Sequence, residues 1–138
     1  MKLKTVIAVW LILVIANCGS FSQSVYLTMD RGQIERLLQE RQIEVGESDQ
    51  EHIHAVDDRL LLNLIFYFSD GYCSTMVTTF QHPEGFLKLV GFMEANFRKA
   101  EEMCWVVPME NGVDVVKAYR KTGYDVIEEN FFDNSSLE

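Results

Sequence analysis

The sequence predicts an α+β domain of two layers, an antiparallel sheet with two helices packed on one face, in the order helix, strand, hairpin, helix, three strands. Three observations predict it. Residues 60–80 (LLLNLIFYFSDGYCSTMVTTF) form a dense apolar stretch broken at Asp70-Gly71, a favoured two-residue hairpin turn. Two stripes with helical spacing lie on either side of that stretch, Ile34, Leu37 and Leu38 before it and Phe86, Leu89, Val90, Met93 and Phe97 after it. The last third of the chain repeats hairpin signals at Asn111-Gly112 and Thr122-Gly123.

The 138 residues suffice for one domain with its own core. Residues 1–22 stand apart. Lys2 and Lys4 precede an eleven-residue apolar run, VIAVWLILVIA, and small and polar residues follow it, the order of a secretory signal peptide. The run is short for a membrane span. Ser20-Phe21-Ser22 offers a cleavage site that leaves Gln23 first, whereas Ile15-Ala16-Asn17-Cys18-Gly19 is similar to a lipobox with Cys18 as the lipidated residue. Asn17 departs from that pattern. Residues 23–129 then make a single domain and 130–138 a flexible tail.

The formal net charge is −9, and loss of Lys2 and Lys4 takes it to −11. This sign disfavours nucleic acid and anionic membrane surfaces, leaving an N-terminal lipid anchor as the one membrane contact. Export permits a disulfide between Cys73 and Cys104, although a core of this size accommodates both as buried thiols.

Residues 24–28 read as a short strand. Asp30 caps the first helix with Gln33 reaching back, and the helix runs over residues 31–42 with Glu35, Arg36, Gln39, Glu40 and Arg41 wet. Residues 51–56 alternate as an edge strand, and Asp57-Asp58 turns into the central hairpin. With a two-residue turn at Asp70-Gly71, Phe68 faces Cys73, Phe66 faces Thr75 and Leu64 faces Val77. One face then holds Leu62, Leu64, Phe66, Phe68, Cys73 and Val77; the other holds Leu61, Ile65, Tyr67, Met76 and Phe80. Pro83 opens the second helix, and strands follow at residues 103–107, 113–121 and 124–128. The order roughly repeats a helix-plus-three-strand unit, with no residue identity noted between the halves.

Chemistry-bearing constellations are sparse. His52 and His54 point the same way on one strand and, with His82, form a candidate metal site, with Asp57 or Asp58 as further ligands. The bland alternative is solvated histidines on an exposed strand. There is no Gly-x-Ser-x-Gly, no His-Glu-x-x-His and no glycine-rich loop between strand and helix, so no catalytic residue and no cofactor is assigned. The second hairpin face, Leu61, Ile65, Tyr67, Met76 and Phe80, is the candidate partner-binding surface. Trp105, Val113, Val115 and Tyr119 are either core or a second aromatic face.

Residues 67–128, with Phe68-Ser69-Asp70-Gly71-Tyr72-Cys73 at a turn, a helix ending near Asn96-Phe97 and Trp105 opening the last strands, resemble small exported proteins of the Bacteroidetes type. The element order is similar to that of BLIP-like and PepSY-type periplasmic domains. The resemblance implies an extracytoplasmic, non-enzymatic binding or accessory module acting on a protein or peptide of the cell envelope, periplasmic or extracellular, and gives no catalytic residues. The alternatives are a small metal-dependent hydrolase built on the histidines and a lipid-anchored structural protein of the envelope or outer membrane.

Overall fold

The structure, a computed structural model, describes residues 23–134. Residues 1–22, on which the expected signal peptide and the Cys18 lipidation site fall, and residues 135–138 lie outside the described residues. A short helix, α1 (Gln23–Tyr26), replaces the strand expected at residues 24–28. The backbone after it runs alongside the start of a later strand: Thr28 N–H donates to the Cys73 carbonyl and Cys73 N–H to that of Met29, each at 2.8 Å. Helix α2 (Arg31–Glu40) begins with a full capping box. Asp30 Oδ1 accepts from Gln33 N–H at 2.9 Å, and the Asp30 N–H donates to Gln33 Oε1 at 2.9 Å.

Four strands follow as a meander: β1 (Glu44–Ser48), β2 (His52–Asp57), β3 (Leu62–Ser69) and β4 (Tyr72–Phe80). Helix α3 (Pro83–Asn96) then leads into a second meander of β5 (Arg98–Glu101), β6 (Cys104–Met109), β7 (Gly112–Lys121) and β8 (Tyr124–Asp133). All eight strands form one antiparallel sheet in the order β1-β2-β3-β4-β8-β7-β6-β5.

This overturns the expected fold class. The domain is dominated by its sheet, 54% strand against 25% helix, and is not the two-helix, two-layer α+β arrangement that the sequence suggested. The difference has a physical origin in β1 and β5. Both strands are exposed along their whole length and carry Glu44, Glu47, Arg98, Lys99 and Glu101. Polar edge strands have no inward apolar alternation to betray them, and their charges discourage pairing with another chain. Strand β8 also runs on to Asp133, so residues 130–133 belong to the sheet and not to a tail.

The central hairpin keeps its Asp70-Gly71 turn, with φ of 54° and 84° at the two residues. Phe68 faces Cys73, but a bulge at Tyr67/Phe68 then shifts the register. Phe66 lies opposite Met76 and Leu64 opposite Thr78. One extra residue turns every later side chain over. Met76 and Phe80 therefore join the core, and Val77 goes to the other face.

The two halves correspond at an offset of 52 positions. Asp30 and His82 precede the helices, and Leu64 and Val116 hold equivalent places in the β3–β4 and β7–β8 ladders, opposite Thr78 and Glu129, whereas the neighbouring ladders differ in register by two residues, Leu64 standing opposite Ala55 but Val116 opposite Trp105. Residues 67–72 and 119–124 share a Tyr-x-x-x-Gly-Tyr pattern around the β3–β4 and β7–β8 turns. The repeating unit is one helix with four strands, and exchanging the halves leaves the strand order unchanged. The expected three-strand unit without identities is corrected accordingly.

The core lies between the helices and the inner face of the sheet. Ile34 and Leu38 of α2 and Phe86, Leu89 and Met93 of α3 meet Ile53, Phe66, Trp105 and Ile127 there. Tyr26 packs on Phe66 with ring centroids 4.9 Å apart, and Phe80 meets Phe86 edge-on at 5.8 Å. Each such side chain contributes about 1.5–3 kcal/mol on burial. No described helix is long and apolar enough to cross a membrane.

Candidate functional site on the open sheet face

Alternation along paired strands sends His52, His54, Ile65, Tyr67, Thr75, Val77, Val115, Tyr119, Glu128 and Asn130 to the face away from the helices. No described helix covers that face. Tyr67 is 41% exposed and Phe132 43%.

A chain of side-chain hydrogen bonds crosses the middle of this face over β7, β8 and β4. The Tyr119 hydroxyl donates to Glu128 Oε1 at 3.0 Å, and Asn130 Nδ2 donates to Glu128 Oε2 at 2.9 Å. Thr75 Oγ1 donates to Asn130 Oδ1 at 2.8 Å. Tyr67 lies directly opposite Thr75 on β3, and the His52 ring stands 6.1 Å beyond it. Burial, and then the Glu128 carboxylate, push the Tyr119 phenol up, so it stays protonated and donates. Both Glu128 oxygens are thus held by neutral donors. Lys117 is its cross-strand neighbour, yet no ion pair joins the two. Tyr119 holds this carboxylate directly, and Tyr67, its equivalent in the first half, stands on the same open surface in the row of Thr75 and Asn130.

The expected partner-binding set is divided by this geometry. Ile65 and Tyr67 are on the open face, Leu61 sits in the β2–β3 turn at φ 57°, and Met76 and Phe80 are 1% and 3% exposed in the core. The expected histidine cluster does not assemble: among the described residues no three His, Cys, Asp or Glu side chains are placed to hold a metal. His52 Nδ1 is 2.9 Å from Asp49 Oδ1 in a local turn, His54 lies opposite Ile65, and His82 precedes α3 without capping it through its side chain. Asp57 Oδ1 accepts from the Arg59 and Leu60 N–H groups, at 3.1 and 3.2 Å, and shapes the β2–β3 turn.

Cys73 and Cys104 are free thiols. Cys73 belongs to the core cluster, whereas Cys104 pairs across from Lys117 on the other face, so the sheet itself separates them. Burial foremost, with Glu129 adding to it, pushes the Cys73 thiol up to about 12.

Two buried acids escaped the reading of the sequence. Asp114 on β7 is 0% exposed and Glu129 on β8 is 3% exposed, both facing the helices. The available signal was alternation. In Val113-Asp114-Val115-Val116 the inward place falls on the acid.

No protein-family model matches the chain, and no curated protein and no solved structure is significantly similar to it. The fold and this face define the class: a sheet-dominated domain built of two successive helix-plus-four-strand units, with one face packed and one open. Within that class the distinguishing feature is the Tyr67, Glu128, Tyr119 surface.

Proposed function

We propose that the protein is an exported, non-enzymatic binding or accessory module that receives a basic segment of a protein or peptide on its open sheet face. The observation that carries this reading is the Glu128 carboxylate, held by Tyr119 and Asn130 on the face that also carries Tyr67, with no cation paired to it among the described residues. A lysine or arginine side chain fits there on two counts. It donates a charge-assisted hydrogen bond to the carboxylate and gains the attraction of tyrosine ring faces for a cation. The half-buried aliphatic surface of Ile65, Val77 and Val115 supplies the apolar remainder of such an interface. The net charge of −9 draws a basic partner toward the molecule before contact.

The test is selection from a random displayed-peptide library on immobilised protein, repeated on Glu128→Gln and Tyr67→Ala. Enrichment of Lys- or Arg-containing peptides that both variants abolish supports the reading. Enrichment without basic residues, or unchanged by either variant, contradicts it.

A further inference from the structure

Thr78, Glu129, Asp114 and Trp105 step diagonally over β4, β8, β7 and β6, all facing inward. Thr78 lies opposite Ile127, two residues before Glu129. Glu129 lies opposite Val116, two residues after Asp114. Asp114 in turn lies opposite Val107, two residues after Trp105. Diagonal neighbours on one sheet face are within side-chain reach. Thr78 Oγ1, Trp105 Nε1, both Asp114 oxygens and Glu129 Oε2 are buried without a hydrogen-bond partner. Such an arrangement is costly, since burying a charged carboxylate away from water and from any cation is strongly unfavourable.

The first half of the molecule shows that the architecture does not require these acids. Leu62 stands at the place equivalent to Asp114, at the 52-residue offset. Beyond the bulge the offset becomes 51, and Thr78 answers to Glu129. A leucine fills the same inward position at 5% exposure.

We infer that Asp114 and Glu129 form a proton-operated latch beneath α3, closed when a proton is shared between the two carboxyl groups and loosened when that proton is lost. Two ionised carboxylates are acceptors only, so a proton is what converts their contact into a hydrogen bond. Helix α3 rests on β8 and β4, the strands that carry Glu129 and Thr78, and is the element set to move.

Among the described residues the surroundings offer no compensating cation. From β4 the facing titratable group is the Cys73 thiol. On α3, Glu84, Lys88 and Glu94 are all exposed, and Lys99 of β5 is engaged by Glu94 at 2.8 Å and Glu102 at 3.3 Å. Lys117 and Glu128 lie on the opposite face, α1 carries no charged residue, and β6 contributes only Trp105, Val107 and Met109 inward. Burial foremost pushes both carboxyls up, Asp114 well above the usual range, and Glu129 adds to the rise at Asp114.

The direction of the pH effect follows. The folded state holds protons that the unfolded chain, with ordinary carboxyls, releases near pH 4. Stability is therefore fully present below that range and falls as pH rises through the folded-state titration, by up to about tenfold in the folding constant per pH unit for each extra proton held.

The test uses the full chain with Trp10→Phe, which leaves Trp105 as the single tryptophan of the two in the sequence and a reporter beside Asp114. Denaturant unfolding is followed by Trp105 fluorescence from pH 4 to 8, with and without Asp114→Asn and Glu129→Gln. The expected result is stability that falls with pH in the parent and a much flatter profile in the double variant. Equal slopes in both, or stability that rises with pH in the parent, overturn the latch. Should the double variant fail to fold, carbon-13 NMR titration of the parent's side-chain carboxyls decides the matter. One or both of Asp114 and Glu129 must keep a proton well above pH 4.5, and ordinary titration of both overturns the proposal.

Discussion

Phe66 lies opposite Met76, not Thr75, and this single-residue displacement at the Tyr67/Phe68 bulge decides which side of β4 is core. Met76→Ala should cost about 2–5 kcal/mol because it empties a place that is 1% exposed. Val77→Ala, on the open face, should cost about 1 kcal/mol or less. Denaturation midpoints of the two variants check the register, and the reverse order would contradict it.

Gly112 serves packing and not the turn it was expected to form. The two-residue loop is Glu110-Asn111, with Asn111 at φ 68°, and Gly112 is the first residue of β7, opposite Asp133. A Cβ there would run into the Phe132 carbonyl oxygen and come within 2.7 Å of the Phe131 ring. Gly112→Ala should therefore lose about 1–3 kcal/mol through overpacking. At Gly71, with φ 84° and nothing within 4 Å of an added Cβ, Gly71→Ala should lose only the roughly 1–2 kcal/mol of left-handed backbone strain. Thermal unfolding of the pair separates steric from conformational causes.

Thr122 is a β-branched residue at φ 50°, in the turn position that Asp70 occupies in the first half. Aspartate and asparagine tolerate that backbone region better than threonine. Thr122→Asn should raise stability by a few tenths to about 1 kcal/mol, read as a higher denaturation midpoint. No change or a loss would mean that the Thr122 hydroxyl bond to the Lys121 carbonyl, at 2.8 Å, matters more than the strain.

Cys73 and Cys104 should both be alkylated after denaturation and resist alkylation in the native protein at pH 8, with neither joined to the other in unreduced peptide maps. Cys73, pushed up to about 12, has almost no thiolate at that pH. Burial foremost raises Cys104 as well. Rapid native labelling of Cys73 would contradict its place in the core.

The legible parts of the fold were those written in apolar periodicity. The α2 stripe of Ile34 and Leu38, the α3 stripe of Phe86, Leu89 and Met93, and the Asp70-Gly71 turn all leave a local signature. The edge strands β1 and β5 leave none, because their residues are solvated on both faces. The bulge was equally silent, since Phe68 and Cys73 satisfy the turn in either register. The open-face site was half visible. Tyr67 stood out as an exposed aromatic of the hairpin, but Glu128 and Tyr119 reach it only through the β4–β8 pairing, a contact between residues more than fifty positions apart. The repeated architecture shows in the sequence only as Tyr-x-x-x-Gly-Tyr in residues 67–72 and 119–124, a match too short to stand out along a single chain.

The most direct measurement of the proposed binding role is an NMR titration of the protein with a short unstructured peptide of alternating Arg and Ser, compared with the same peptide bearing citrulline for Arg. The expected result is saturable amide shifts confined to β3, β4, β7 and β8, centred on Tyr67, Thr75, Tyr119 and Glu128, that are absent with the citrulline peptide and lost in Glu128→Gln. Shifts centred on α2 or α3, or equal shifts with both peptides, would contradict it.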